Sequence, residues 1–109
     1  MKYDTVDSGK RVEFNSGFVR DVDDNKPRYD LIWRPILKRW AELMARGKKK
    51  YGEENWKLAS SEEEAKRFQS SAFRHFIQWL EGEDDEDHAA AILFNVMAYE
   101  YMKDKGITK

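Results

Sequence analysis

Six of the eight residues in Glu81-Gly82-Glu83-Asp84-Asp85-Glu86-Asp87-His88 are carboxylates. Asp and Glu at a helix start oppose its dipole for about 0.3–1 kcal/mol each, and two or three would suffice for that. Six repel one another, and a bound divalent cation would relieve the repulsion. Hard ions such as Mg²⁺ take oxygen ligands, typically one or two carboxylates completed by substrate phosphates. Composition leaves two readings open, a solvated helix cap and a metal site.

Helical spacing extends this segment. Asp84, His88, Ala91 and Asn95 fall on one stripe at steps of four, three and four, with Asp87 beside it. His88 and Asn95 are polar positions in a very apolar run, and a buried Asn must find partners. Either residue alone reads as bonded to a neighbouring helix; together they read as a pocket wall. Arg74-His75 lies between Phe73 and Phe76, which place that stretch against a core. Arg74 then pairs with a carboxylate, Asp84 or Asp87, or grips a phosphate through its two-pronged guanidinium.

Two further groups suit a nucleotide. In Lys48-Lys49-Lys50-Tyr51-Gly52-Glu53-Glu54-Asn55-Trp56, the lysines read either as a solvated helix end or as phosphate contacts. Tyr51 and Trp56 straddle a glycine turn beside Asn55, so the rings could stack on a base while the amide reads its edge. Asn25-Lys26-Pro27-Arg28-Tyr29-Asp30 is either a lead-in with Asp30 as cap, or a basic turn whose Lys26 and Arg28 close over a polyphosphate.

The elements that must position these groups are mainly helices. Ile36, Leu37, Trp40, Leu43, Met44 and Gly47 recur at three- and four-residue spacing and predict a helix over about 33–50. Pro35 fits its first turn, and Gly52 its stop. Ser60 with Glu63, or Ser61 with Glu64, makes a capping box for a second helix. That helix runs to about residue 81, with Ala65, Phe68, Ala72, Phe73, Phe76, Trp79 and Leu80 in its stripe and Gly82 as its stop. A third, expected to be the most buried, starts near Asp84 or Asp85 and runs to about 105, closed by Gly106. Residues 1–30 hold many turn formers (Ser8-Gly9, Asn15, Ser16-Gly17, Asp23, Asp24, Asn25, Pro27), and predict an extended arm with room for one short strand, packed on the body or on another subunit. The expected fold class is therefore all-α: a small bundle of three main helices over 31–109, with an N-terminal arm over 1–30.

At 109 residues there is room for one domain. Its 40% hydrophobic content allows a thin core, and oligomerisation would cover what one protomer cannot. The net charge of −1 gives no basis for general polyanion or nucleic-acid binding. Without cysteine there is neither disulfide nor thiolate zinc site. No apolar stretch suits a signal peptide or a membrane span, so the expected compartment is the cytoplasm (the host's, if phage-encoded).

The order of Lys26-Pro-Arg-Tyr-Asp-Leu-Ile32, Lys50-Tyr-Gly-x-x-Asn-Trp56, Arg74-His75 with Trp79-x-x-Gly82-Glu83, and Asp85-Glu-Asp-His88 with Asn95 resembles the phage and bacterial dATP/dGTP diphosphohydrolase domain. That domain is similar to the all-α MazG-like nucleotide pyrophosphohydrolases. The resemblance implies dATP or dGTP as substrate, Mg²⁺ or Mn²⁺ as cofactor, and a dimeric or tetrameric homo-oligomer. The wider superfamily pairs Glu-x-x-Glu on one helix with Glu-x-x-Asp on a later one. Here the later motif falls near His88-x-x-Ala91, and Glu42 on the first helix lacks a Glu three residues away. The metal carboxylates expected on this basis are Glu83, Asp84, Asp87 and Glu42. Glu83, Asp87, His75 and His88 are the candidate catalytic groups. Lys26, Arg28, Lys50, Tyr51, Asn55, Trp56, Arg74 and Asn95 are the candidate substrate contacts. The rival expectations are a protein that sequesters a nucleotide or nucleotide signal without cleaving it, and an interaction module whose charges only solubilise it.

Overall fold

A computed structural model describes residues 9–21 and 26–109. Ser8, Asp23, Asp24 and Asn25, expected as turn formers, lie outside the described residues. The chain divides into two compact units, Met1–Ile32 and Trp33–Lys109.

The N-terminal unit holds a hairpin rather than a lone strand. β1 (Arg11–Glu13) pairs antiparallel with β2 (Val19–Asp21), with Val12 opposite Arg20. Asn15-Ser16-Gly17 makes the second strand possible. The Gly17 N–H donates to Phe14 O at 2.8 Å, and Gly17 itself sits at φ 86. This is the three-residue hairpin loop that ends in a left-handed residue, a conformation glycine adopts at little cost. The Phe14 and Phe18 rings meet across it at 5.5 Å. Further on, a 3-10 turn spans Tyr29–Leu31, and Arg28 clamps Asp30 with two bonds of 2.9 and 2.8 Å. Asp30 is thus no helix cap; Trp33 occupies the cap position of the first helix, without a side-chain bond.

The second unit is helical. α1 spans Arg34–Tyr51, α2 Glu62–Leu80 and α3 His88–Asp104, with a 3-10 turn at Asn55–Leu58 between α1 and α2. Of the two capping boxes legible in the sequence, Ser61–Glu64 forms. The Glu64 N–H donates to Ser61 Oγ at 3.2 Å, and the Ser61 hydroxyl donates to Glu64 Oε1 at 2.7 Å. α2 and α3 both close with Gly (φ 74 at Gly82, φ 76 at Gly106) and with reach-back bonds, Glu83 N–H to Gln78 O and Ile107 N–H to Met102 O. Both ends are Schellman motifs, which use a left-handed residue to satisfy orphan carbonyls.

α3 packs against both α1 and α2, most extensively against α2. It carries six buried residues, His88, Ala90, Ala91, Asn95, Ala98 and Met102, whereas α1 carries none. Its alanines have no side chain beyond Cβ, which lets the neighbouring helix approach. An aromatic cluster finishes the core, with Trp56 edge-on to Phe94 at 6.2 Å and to Tyr101 at 5.1 Å, and Phe68 edge-on to Phe94 at 6.1 Å.

Two expectations are corrected. α3 starts at His88, not at Asp84 or Asp85, because the Asp87 side chain accepts the Ala90 N–H at 3.1 Å and so caps it there. Asp84 therefore lies in the preceding turn, off the stripe that joins His88, Ala91 and Asn95. On α2, Phe73, Phe76, Trp79 and Leu80 are exposed, and His75 is the residue that faces inward. α2 has two apolar faces, and its inner one runs through Ala65, Phe68, Ala72 and His75, residues buried or half-buried at steps of three and four.

Candidate functional site

The end of α1 and the acidic turn line one cleft of about 1380 Å³. Gly52 at φ 96 stops α1 after its three lysines, and the following 3-10 turn brings Asn55 and Trp56 to the wall. The Schellman end of α2 and the Asp87 cap of α3 hold the turn between them. Arg46, Lys48 and Lys50 supply positive charge to the cleft, Tyr51, Asn55 and Trp56 a ring-and-amide surface, and Asp84 to Asp87 carboxylates. The Lys50 ammonium lies 5.0 Å from the centre of the Tyr51 ring. Trp56 is half-buried and locked edge-on against Phe94 and Tyr101, so it offers a fixed wall rather than a swinging lid.

Asp87 has both oxygens engaged. Arg39 donates to them from Nε at 2.8 Å and from Nη2 at 2.7 Å, and the Ala90 N–H adds a third bond. These donors favour the charged carboxylate and lower its pKa from 3.8 to about 2, the Arg39 bond contributing most. Asp84 or Asp87 was expected as a carboxylate partner for Arg74; Asp87 is held by Arg39, and the Arg74 guanidinium reaches Ser71 Oγ at 3.4 Å.

Beside this wall two imidazoles are buried, His75 at 7% and His88 at 3% exposure. Their Nδ1 atoms are 2.9 Å apart, and His88 Nε2 lies 2.8 Å from Asp85 Oδ1. Asp85 accepts from His88, and that bond holds its carboxyl below the ordinary pKa. Burial first, and then the charge of Arg74, lower the His75 pKa, so its ring is neutral at neutral pH. His88 donates Nε2–H to the ionised Asp85, and one proton lies between the two Nδ1 atoms. Glu86 belongs to both places: it lines the cleft, and it forms with His75 and His88 a group whose ligand atoms lie within 4.8 Å of one another. That group could hold a metal ion.

The candidates from the sequence separate into five sets. Lys50, Tyr51, Asn55, Trp56, Asp84 and Asp87 line the large cleft. Arg74 and Asn95 line a smaller neighbouring pocket of about 640 Å³, which shares Ala59, Glu64 and Phe68 with the first. Asn95 turns its amide nitrogen to Ala91 O at 2.8 Å, a partner in its own helix rather than a neighbouring one. His75 and His88 form the buried pair. Glu83 and Glu42 are exposed and line neither pocket, while Lys26 and Arg28 belong to the N-terminal unit.

Arg39 and Arg46 were not singled out from the sequence, and Asp85 and Glu86 entered only as members of the acidic turn. Asp85 and Glu86 had a signal: once Asp87 is recognised as the cap, Asp85 sits three residues before His88, within reach of its ring. Arg39, 48 residues from Asp87, had none.

Among the described residues, no helix is long and apolar enough to cross a membrane. Comparison with curated proteins gives no match, and neither does comparison with solved structures. The family model for the N-terminal domain of dATP/dGTP diphosphohydrolases matches residues 16–109. The cleft, its acidic turn and the His75–His88 pair all lie within that match, and the chain belongs to the dATP/dGTP diphosphohydrolase N-terminal domain family.

Proposed function

We propose that the helical unit binds a purine deoxynucleoside triphosphate in the large cleft and cleaves it to the monophosphate and pyrophosphate. The observation that carries this reading is the lining of that one cleft: three cationic side chains, a ring-and-amide surface and a carboxylate wall meet there. A base, a polyphosphate and a divalent cation each find a matching surface. At about 1380 Å³ the cleft exceeds the roughly 300–1,000 Å³ usual for small-ligand sites, so a whole nucleotide fits.

In this reading Tyr51 and Asn55 hold the base against the fixed face of Trp56. Lys48, Lys50 and Arg46 neutralise charge on the phosphates as the bond between the α-phosphorus and its bridging oxygen breaks. Asp84, on the cleft wall, would hold Mg²⁺ or Mn²⁺, and the ion would supply an activated water and polarised phosphates. Asp87 keeps Arg39 and the start of α3 in place, so it positions the wall rather than ligating the ion. The family's name supports the substrate class.

A second reading, nucleotide capture without cleavage, is favoured by Ala91. This residue lines the cleft and offers no ligand where the wider superfamily's motif carries a carboxylate. A chromatographic screen of all dNTPs and NTPs with Mg²⁺ or Mn²⁺ separates the two. Monophosphate and pyrophosphate from dATP or dGTP, lost in Asp84→Asn, support hydrolysis. Tight retention of intact nucleotide supports capture, and neither binding nor products contradicts both readings.

A further inference from the structure

We propose that His75, His88 and Glu86 form a site for one imidazole-seeking first-row metal ion, of the Co²⁺, Ni²⁺ or Zn²⁺ class, separate from the cation that accompanies triphosphate. Two buried ring nitrogens directed at one another at 2.9 Å are one observation. With metal–nitrogen bonds of about 2.0–2.1 Å, two cis ligands at a right angle stand about 2.9 Å apart and tetrahedral ones about 3.4 Å apart. The pair is thus spaced for the first geometry and needs about 0.5 Å of opening for the second.

The second observation is independent of that spacing. His88 hands its other nitrogen, Nε2–H, to the Asp85 carboxylate at 2.8 Å. A carboxylate behind a histidine fixes the tautomer, orients the ring and raises its basicity, as it does for metal-bound histidines. Here it leaves His88 Nδ1 facing His75 Nδ1. Binding replaces the His75–His88 hydrogen bond with two metal–nitrogen bonds, and the proton held between the two Nδ1 atoms passes to His75 Nε2 or to water. Glu86 adds one oxygen from the cleft side, and water or a ligand oxygen completes the shell.

Two imidazoles and one carboxylate suit borderline transition ions, whereas Mg²⁺ prefers an all-oxygen shell. The ion would lie at the boundary between the buried pair and the cleft, where Glu86 is exposed.

The test is a titration of the metal-free full chain with Co²⁺, without nucleotide, followed by its visible ligand-field absorption and by equilibrium dialysis. The expected result is one Co²⁺ per chain, retained against roughly a thousandfold excess of Mg²⁺. Glu86→Gln, at an exposed position, weakens binding at least tenfold, and Asp85→Asn weakens it roughly 10–100-fold. His75→Gln abolishes it where circular dichroism shows the helices intact; if that variant unfolds, the Glu86 and Asp85 variants decide. Failure to retain Co²⁺, displacement by Mg²⁺, or wild-type affinity in both Glu86→Gln and Asp85→Asn overturns the proposal. Since no nucleotide is present, its failure and that of the diphosphohydrolase reading are distinguishable.

Discussion

Asp87 shows how much one carboxylate organises. It accepts the Ala90 N–H at 3.1 Å, which starts α3, and both Arg39 bonds, which tie α1 to the acidic turn. The fall of its pKa from 3.8 to about 2 corresponds to about 2 kcal/mol at 1.36 kcal/mol per unit, and the exposed Arg39 screens part of that. Asp87→Asn, which keeps a capping side chain, is expected to cost about 1–2 kcal/mol in denaturant unfolding; Asp87→Ala loses the cap as well, about 1 kcal/mol more. Because the folded pKa is the lower one, this contribution is full above about pH 4 and fades as the pH falls towards 2. Equal stabilities of wild type and Asp87→Asn at pH 7 would contradict the assignment. His75 gives the opposite kind of group a parallel sign. Burial lowers its pKa, so the unfolded chain binds the proton more readily, and stability is full above about pH 6.5 and lost on acidification below it. Unfolding curves at pH 7.5 and 5.5 should show this loss, and it should shrink in His75→Gln. Of these residues, the acidic turn and the polarity of His88 and Asn95 were legible from type and spacing. The Arg39 partnership was not, because nothing local records a contact across 48 residues.

The helix ends were the most legible elements. Gly52, Gly82 and Gly106 stop the three helices as their positions predict, and Ser61 starts α2 with the Glu64 reach-back. The start of α3 was misplaced by three or four residues, since every acidic residue from Glu83 on is a plausible cap and only geometry selects Asp87. α2 was misread in another way. A helix with apolar residues on two faces gives a strong pattern without saying which face is inside, and the inward one carries His75 rather than Phe73. Gly82 allows a direct test. A Cβ there meets nothing within 4 Å, so Gly82→Ala costs only the left-handed backbone at φ 74, about 1–2 kcal/mol. Thermal unfolding measures it, and an unchanged Tm would mean that the Schellman end does not hold this turn.

Over the whole molecule, the exposed apolar residues stand out. Phe73, Phe76, Ile77 and Leu80 recur at steps of three and four along α2 and are 67, 42, 37 and 60% exposed. The expectation of a homo-oligomer leads to a concrete outcome. Sedimentation should give a mass of two or more chains, and Phe73→Glu with Leu80→Glu should lower it; a wild-type monomer at high concentration would contradict it. The family was legible from four short motifs in order, and residues 16–109 match it. Which carboxylates face the cleft was not legible, since that depends on where α3 begins. Cleavage of a purine deoxynucleoside triphosphate at its α-phosphorus, the activity proposed for this cleft, is tested by ³¹P NMR of dGTP with the chain and Mg²⁺. Growing resonances of dGMP and pyrophosphate, absent with Asp84→Asn, are the expected result. Unchanged dGTP, or inorganic phosphate with dGDP in their place, would contradict it.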